Sequence, residues 1–204
     1  MMHPHAELRR IDDRIGFGVF ATRFIPRGTV VWCLCELDRV MTPAEIAAMP
    51  PLSRHQAERY RYRTASGDSV LCWDLARYIN HACDPAMLGL GTDLEIAVRD
   101  IRPGEELTCD YGACNPVEVL ACRCGQAGCR GHVGADDVLA WAGRWDQRVR
   151  ATLPLVPTVA QPLRRFFRRP DELAAIVAGL KAMPSLRECH FQDDSAPRLA
   201  EVAQ

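Results

Sequence analysis

Three absences narrow the function of this chain. No window of about 20 apolar residues could cross a membrane, and no run of signal-peptide length follows the first residues, MMHPHAELRRIDD. Basic residues are not in excess either, since the formal net charge is −1. We therefore expect a non-secreted protein that is neither a membrane protein nor a general nucleic-acid binder. The basic run at 164–169 is expected to be a solvated face over a packed phenylalanine pair.

The composition is that of a folded protein from a reducing compartment. With 204 residues and 48% hydrophobic content, the chain can bury the core of one domain and carry an appendage. Ten cysteines occur without a secretory signal. In such a setting thiols persist, and clustered thiols more often bind metal than form disulfides.

Three cysteines lie within the ten-residue stretch CRCGQAGCRG, residues 122–131. Buried thiols, a redox pair or a disulfide are alternatives, but Cys122 and Cys124 are too close in sequence to bridge without strain. A structural zinc ion takes four thiolate or imidazole ligands, so one ligand must come from elsewhere. Spacing alone leaves four candidates for it open: Cys83, Cys109, Cys114 and His132.

Short β-like segments dominate the first half of the chain. Segments 19–24 and 29–35 flank Pro26-Arg27-Gly28, and segments 94–100 and 106–111 flank Pro103-Gly104. β-Branched residues between Pro/Gly breaks predict paired strands, one pair around each turn. Residues 69–73 predict a further strand.

Helices are predicted between and after these strands. Thr42 to Glu45 forms a capping box that opens a helical segment at 43–60, and Ser53 to Gln56 repeats the box. Apolar residues at three-to-four spacing predict a helix over 138–149, which we expect to pack over the cysteine stretch through Trp141. A second helix begins at Asp171 and is expected to end before Pro184.

Three further motifs follow one another in a specific order. GFGVFAT spans residues 16–22, ARYINHACDP spans 76–85 and RDIRPGEELTCDYG spans 99–112. Each motif alone is common in turns, whereas the ordered set is specific. From about residue 14 to residue 134 the chain resembles the SET-domain protein lysine methyltransferases, and CRCGQAGCRG resembles their post-SET zinc loop.

The resemblance implies a mainly β, α+β fold of small sheets with pseudoknot-like threading of one segment through a loop formed by another. It also implies a four-cysteine zinc loop. The residue patterns add a short helical insert at about 42–60 and a C-terminal helical extension, which lies outside the resemblance. We expect the catalytic SET domain over residues 1–118, the post-SET loop over 119–134 and the extension over 135–204.

The resemblance further implies a binding site for the methyl donor, S-adenosyl-L-methionine. Glycines allow close backbone approach to a ligand, and a guanidinium suits the donor's carboxylate. Tyr111 is the predicted catalytic residue, which aligns the reactants. The residues expected to bind the donor are Gly16, Phe17, Gly18, Arg77, Tyr78, Asn80, His81 and Tyr111.

The same resemblance implies roles for two cysteines. Cys83, in the Asn-His-x-Cys motif, is implied as the fourth zinc ligand beside Cys122, Cys124 and Cys129. Cys109 lies with Tyr111 in the substrate channel, where the family usually has Phe or Tyr. A smaller residue leaves room for more methyl groups, so we expect di- or trimethylation.

The sequence thus predicts an S-adenosylmethionine-dependent protein-lysine N-methyltransferase with one structural zinc ion and in-line transfer in a narrow channel. The expected partner is a protein with an exposed lysine, such as a basic protein or a histone-like tail. A bacterial cytosol, or a nucleus if the chain is eukaryotic or delivered to a host, is the expected location. The alternative is an inactive SET-fold peptide-binding or interaction protein, which the intact Tyr111 disfavours.

Overall fold

The structure is a computed structural model that describes residues 1–192. The helices are α1 (Pro43–Ala47), α2 (Pro51–Tyr60), α3 (Asp137–Arg150) and α4 (Pro170–Val177). The strands are β1 (Ala6–Arg10), β2 (Phe17–Ala21), β3 (Val30–Cys33), β4 (Arg39–Met41), β5 (Arg61–Arg63), β6 (Ser69–Leu71), β7 (Asn80–His81), β8 (Met87–Gly89), β9 (Leu94–Ala97), β10 (Thr108–Cys109), β11 (Leu120–Ala121) and β12 (His132–Val133). Within the described residues, no helix has the length and apolar character needed to span a membrane.

These strands form small sheets, which confirms the predicted fold class. Three antiparallel units have the orders β1-β2, β3-β9-β8 and β4-β6-β5, and β11 pairs with β12. β7 and β10 pair in parallel. The end of the predicted C-terminal extension, residues 193–204, lies outside the described residues.

The two Pro-Gly turns do not join partners in one sheet, so the predicted strand pairs are wrong. A backbone hydrogen bond closes each turn, at 3.2 Å across residues 26–29 and at 3.0 Å across residues 102–105. Gly28 and Gly104 hold the third position with φ values of 96° and 83°, which is the type II pattern. Because a type II turn splays its flanking strands, the chain leaves each turn for a different sheet.

Instead, strands from the first predicted pair form pairs with strands from the second. β3 pairs with β9, Ile25 forms a bridge with Ile101, and Leu107 N donates to Val19 O at 2.8 Å. This exchange places β2, near the start of the chain, beside the segment that leads into Tyr111. Segments distant in sequence therefore build the same region of the molecule.

The helical insert begins at a capping box, as predicted. Thr42 Oγ1 accepts a hydrogen bond from Glu45 N at 3.2 Å, and Glu45 Oε2 accepts one from Thr42 N at 2.7 Å. The second predicted box, at Ser53, does not cap a helix. α2 already begins at Pro51, because proline is favoured at the first helical position.

α3 packs its apolar side on the sheet β3-β9-β8. The predicted three-to-four spacing places its buried residues on one side of the helix. They belong to one core cluster with Leu88 of β8 and Ile96 of β9. The buried apolar residues of α3 are Val138, Ala142, Trp145 and Val149.

α4 ends earlier than predicted. Its last residue is Val177, and Gly179 follows with φ of 72°, a left-handed conformation that terminates helices. Pro184 lies well beyond this end. Leu180 is 84% exposed because it follows the turn and no longer lies on the helix.

The basic run at 164–169 packs through its phenylalanines. Phe167 is buried, and Phe166 packs against the same core cluster. Arg169 Nη2 lies 2.8 Å from Asp93 Oδ1 in an ion pair. These contacts agree with the predicted solvated face over a packed phenylalanine pair.

Candidate functional site

Two of the sequence motifs meet where β7 pairs with β10. In this parallel pair Asn80 lies beside Thr108, and His81 lies beside Cys109. Ala82 N extends the contact by donating to Cys109 O at 3.0 Å. Because Asp110 and Tyr111 directly follow β10, the pairing brings Tyr111 next to the Asn80–His81 segment.

Tyr111 lies at the centre of the site. Its hydroxyl donates to Ile79 O at 2.7 Å, and its backbone N donates to His81 Nδ1 at 3.2 Å. Burial raises the pKa of Tyr111 well above its ordinary value, and the nearby Cys109 thiol adds to this shift. The phenol therefore stays protonated at neutral pH, so it can orient a reactant but cannot act as a base.

The turn at Gly16–Gly18 packs against Asn80. A Cβ atom at Gly18 would lie 2.4 Å from Glu106 Oε1 and 3.0 Å from Asn80 Nδ2, so a larger residue would displace both groups. Asn80 Nδ2 donates to Phe17 O at 3.0 Å and to Glu106 Oε1 at 2.7 Å. The amide hydrogens of Asn80 thus hold the turn in place beside the site.

Arg77 and Tyr78 lie just before β7. The Tyr78 ring packs edge-on against Phe17 and Tyr60, with centroid distances of 6.1 and 5.4 Å. Arg77 Nε is buried and has no hydrogen-bond partner among residues 1–192. An unpaired buried donor is costly, and a ligand carboxylate would satisfy it.

His81 connects Tyr111 to the cysteines. Its Nδ1 accepts from Tyr111 N, and its Nε2 lies 3.4 Å from Cys83 Sγ. Burial, reinforced by the positive charge of Arg130, lowers the pKa of His81 to about 4. The imidazole is therefore neutral at neutral pH. Since both ring nitrogens have partners within the protein, His81 offers a ligand its backbone groups and ring face.

Four thiols converge beside His81: those of Cys83, Cys122, Cys124 and Cys129. Their Sγ atoms all lie within 4.8 Å of one another, and Cys122 Sγ is 3.5 Å from both Cys83 Sγ and Cys129 Sγ. Zn–S bonds of about 2.3 Å in a tetrahedron separate the sulfurs by about 3.8 Å. The group therefore fits a zinc ion.

The fourth thiol of this group is that of Cys83, which spacing alone did not single out. Of the other candidates, His132 is exposed on β12, Cys109 is buried in the core, and Cys114 Sγ lies 3.8 Å from Asp110 O. None of them belongs to the four-thiol group found among the described residues. Because Cys83 follows β7, the group fastens the cysteine loop to the Asn80–His81 segment.

Arg130 is a site residue that the sequence reasoning missed. Its Nη2 donates to Asp110 Oδ1 at 2.6 Å, and the two side chains are only 7% and 0% exposed. Its guanidinium also lies 3.6 Å from Asp137 Oδ2 and 4.9 Å from the centre of the Trp141 ring. α3 therefore packs over the cysteine loop, as predicted. The available signal was an arginine directly after the last clustered cysteine.

Asp110 is the buried acidic partner in this arrangement. Burial raises the pKa of Asp110, and the hydrogen bond and charge of Arg130 partly offset the shift. Gly112 N also donates to Asp110 Oδ1 at 3.0 Å. The pair thus fixes the backbone on both sides of Tyr111.

A cleft of about 740 Å³ reaches Tyr111 and Cys109. Its other lining residues include 58–65, from the end of α2 and from β5, and 113–118, which follow Tyr111. Asn80, His81 and the glycine turn do not line it. Tyr111 therefore lies between the cleft and the segment that carries Asn80 and His81.

These features define a class of protein, in which small sheets hold a buried tyrosine between a cleft and a glycine turn, with a four-thiol group beside it. The family model described as the SET domain matches residues 16–112. This match agrees with the family that the order of the motifs predicted.

The relatives carry names from one group of enzymes. The chain is 29% identical over 150 residues to "Histone-lysine N-methyltransferase, H3 lysine-9 specific" of Schizosaccharomyces pombe, covering 57% of this chain and 30% of that protein. It is 40% identical over 132 residues to "Histone-lysine N-methyltransferase ash1" of Drosophila melanogaster, covering 58% and 6%. The chain thus spans less than a third of the length of these relatives.

One solved structure is similar as well. The crystal structure of KRYPTONITE in complex with mCHG DNA and SAH is 24% identical to this chain, with a TM-score of 0.45. The similarity covers 62% of this chain and 28% of that one.

Proposed function

We propose that the chain is an S-adenosylmethionine-dependent protein-lysine N-methyltransferase. The proposal rests chiefly on the position of Tyr111, whose hydroxyl is held 2.7 Å from Ile79 O between the cleft and the Asn80–His81 segment. The SET-domain match over residues 16–112 and the names of the relatives support the same reaction. The cleft would then take the lysine, and the opposite side would take the donor.

The donor site would be built from the residues named by the sequence motifs. The backbone of Gly16, Phe17 and Gly18 would contact the donor, because the turn packs closely on Asn80, and Asn80 Nδ2 holds Phe17 O. The unpaired Nε of Arg77 suits the donor's carboxylate, which Arg77 would reach from the side of the cleft, because it lines the cleft. Tyr78, the segment Asn80 and His81, and Tyr111 would complete the surface.

The chemistry requires a neutral amine. A lysine of pKa about 10.4 costs about 4.6 kcal/mol to deprotonate at pH 7. When bound, S-adenosylmethionine supplies a methyl carbon on a positively charged sulfur, and that charge lowers the pKa of the amine, as does a desolvated cleft. Tyr111 keeps its own proton and aligns the amine for in-line displacement. The amine's proton leaves through water.

A zinc ion held by Cys83, Cys122, Cys124 and Cys129 would have a structural role. It would join a post-SET loop at residues 119–134 to a catalytic domain at 1–118, with residues 135–204 as a helical extension. All four ligands are thiols, which is typical of closed structural sites without a free coordination position. The reaction itself then depends on the protein residues and the donor.

The substrate class follows from the same proposal. We infer a protein substrate with an exposed lysine, such as a basic protein or a histone-like tail, in a bacterial cytosol or in a nucleus. Cys109 is buried where it meets the cleft, and its small side chain leaves room for di- or trimethyl-lysine. Mass spectra of the products, followed to long times, would test this.

Tyr111→Phe tests the catalytic role. Labelled donor is incubated with a panel of lysine-bearing proteins, using chains that also carry Lys181→Arg, because Lys181 is the single lysine of the chain and could label itself. We expect transfer to fall about a hundredfold or more, because alignment is lost. Unchanged zinc content and thermal unfolding would show that the variant is folded.

Undiminished transfer by Tyr111→Phe would contradict the catalytic role. If the parent chain transfers no methyl group to any protein of the panel but binds lysine-bearing peptides, the alternative function as a peptide-binding protein is correct.

A further inference from the structure

The sheet β3-β9-β8 presents an acidic residue to the cleft. Glu95 of β9 lies between its cross-strand partners Trp32 of β3 and Gly89 of β8, and all three line the cleft. Gly89 has no side chain, so space is left next to the carboxylate. Glu95 is half-buried, and its carboxylate forms no hydrogen bond or ion pair with residues 1–192.

Four buried side-chain polar groups of residues that line the same cleft are unpaired. Trp32 Nε1, Tyr62 Oη, Arg61 Nε and Arg77 Nε have no hydrogen-bond partner among the described residues. The rings of Trp32 and Tyr62 contact edge-on, with centroids 6.1 Å apart. Buried polar groups are nearly always satisfied, so these four unpaired groups in one cleft point to a polar ligand.

Two arginines of the cleft have hydrogen bonds of their own. Arg61 Nη1 donates to Ser69 Oγ at 2.8 Å, and Arg63 Nε donates to Asn115 O at 2.9 Å. No ion pair joins Arg61 to Glu95 among the described residues. The carboxylate therefore remains available to a cation that enters the cleft.

The position of this carboxylate relates it to the reaction. Cys109 and Tyr111 line the same cleft as Glu95. The Glu95 charge is also close enough to contribute to the raised pKa of the Cys109 thiol, after a hydrogen bond with Cys114 and burial. A cation bound by Glu95 would thus lie in the cleft that Tyr111 also lines.

We propose that Glu95 binds the charged amine of the incoming lysine side chain and, with Tyr62 and Trp32, selects an amine-bearing side chain over a neutral one. This inference rests on the proposed function, because it assigns the cleft to the substrate. Glu95 acts before methyl transfer by holding the ammonium form in the cleft. Tyr111 then aligns the neutral amine once its proton has left through water.

The pH dependence of cation binding by Glu95 gives a second measurement that tests the proposal. Burial raises the pKa of Glu95 to about 7. Around it, burial raises the pKa of Tyr62 and Cys72, and the Cys114 hydrogen bond and burial raise that of Cys109, so these three groups stay neutral between pH 6 and pH 8. The carboxylate is ionised above its pKa, and its attraction for a cation weakens as the pH falls below about 7.

The test measures binding of n-butylammonium, a lysine side-chain analogue, to the full chain by NMR, with neutral n-butanol for comparison. The analogue stays cationic at neutral pH, because its pKa is close to the lysine value of about 10.4. We expect Glu95→Gln to weaken n-butylammonium binding about tenfold or more and to leave n-butanol binding unchanged. The matched control is Glu36→Gln, an exposed acid outside the cleft.

The pH profile separates a charge effect from a packing effect. Between pH 8 and pH 6 the affinity of the parent chain for n-butylammonium should fall by a larger factor than that of Glu95→Gln. Glu95→Asp, which keeps the charge, should retain the pH dependence. Equal n-butylammonium affinity of the parent chain and a folded Glu95→Gln would overturn the proposal.

Methyl transfer distinguishes this proposal from the proposed function. If the parent chain methylates proteins, Glu95→Gln should raise KM for the protein substrate more than it lowers kcat. An unchanged KM would refute the role of Glu95 and leave the proposed function intact. If no transfer occurs but cation binding depends on Glu95, the cation site stands and the proposed function fails.

Discussion

The cysteine loop at residues 119–134 and helix α3 are neighbours in the chain, but different forces hold them. From residue 121 to residue 132 no aliphatic or aromatic side chain is buried. α3 buries Trp145 together with three other apolar residues. It also packs directly on the site, since a Cβ atom at Gly112 would lie 2.8 Å from Asp137 Cβ and 3.2 Å from Trp145 Cη2.

The loop depends instead on polar contacts. Three thiols of the loop converge with that of Cys83. Gln126 Nε2 also donates to Asp84 O at 3.0 Å, and Asp84 N donates to Gln126 Oε1 at 2.6 Å. Such contacts stabilise little without a metal, because water competes for them. The cysteine loop and α3 both pack near the Tyr111 site, and they should therefore lose their structure under different conditions.

Removal of the metal should have the largest effect, confined to the loop. Zinc contributes on the order of 10 kcal/mol in small four-ligand sites, and no buried apolar side chain replaces it between residues 121 and 132. We expect chelation, or Cys83→Ser, to abolish stoichiometric zinc and to open the chain to trypsin at Arg123. Cleavage within α3 should not increase. Metal analysis and mass spectrometry of the fragments measure both.

Cys35→Ser is the matched control, because Cys35 is buried away from the thiol group. It should keep its zinc. Donor binding should also weaken in Cys83→Ser, because His81 Nε2 lies 3.4 Å from Cys83 Sγ and His81 Nδ1 holds Tyr111 N. If Cys83→Ser retained one zinc and full activity, the assigned ligand set would be wrong, and His132 would be the next candidate.

Trp145→Ala should have the opposite effect, because it should weaken the core around α3 rather than the metal site. The Trp145 side chain is 2% exposed, in the core cluster that α3 shares with β8 and β9. Its truncation should lower the free energy of unfolding by about 3–5 kcal/mol. Denaturant unfolding measures the loss, and Leu139→Ala on the exposed side of α3 should change stability by less than about 0.5 kcal/mol. A zinc loss larger than the stability loss would contradict the separation of the two regions.

The sequence predicted which residues lie together at the site better than it predicted how the strands around them pair. Ordered motifs were sufficient to place Asn80, His81 and Tyr111 together, because each motif carries its own chemistry. The strand pairing around Gly28 and Gly104 was not predictable from β propensity, because it depends on a turn twist that only backbone angles reveal. Arg130 was missed because its partner Asp110 is distant in sequence. Glu95 was missed because the residues that surround its carboxylate, and leave it without a partner, are also distant in sequence.

Arg130 joins the two regions and gives the most specific test of their coupling. Its backbone N donates to Cys83 Sγ at 3.3 Å, and its guanidinium contacts Asp110, Asp137 and Trp141. Arg130→Met keeps the backbone contact and much of the side-chain volume, but leaves the Asp110 carboxylate without its cation. We expect a loss of about 2 kcal/mol in unfolding free energy at neutral pH, the scale of a hydrogen bond to a charged group, with zinc retained.

The pH dependence of that loss identifies its cause. Arg130 lowers the pKa of Asp110 against the stronger effect of burial, so the variant should have a still higher pKa at this carboxyl. A raised folded-state pKa penalises the ionised form, and the penalty disappears as the carboxyl takes up a proton. The difference in stability between the parent chain and Arg130→Met should therefore shrink as the pH falls from 7 toward 5. A difference that stays constant over this range would mean that Arg130 stabilises the junction by packing on Trp141, and the loop and helix would then be joined by apolar contact rather than by charge.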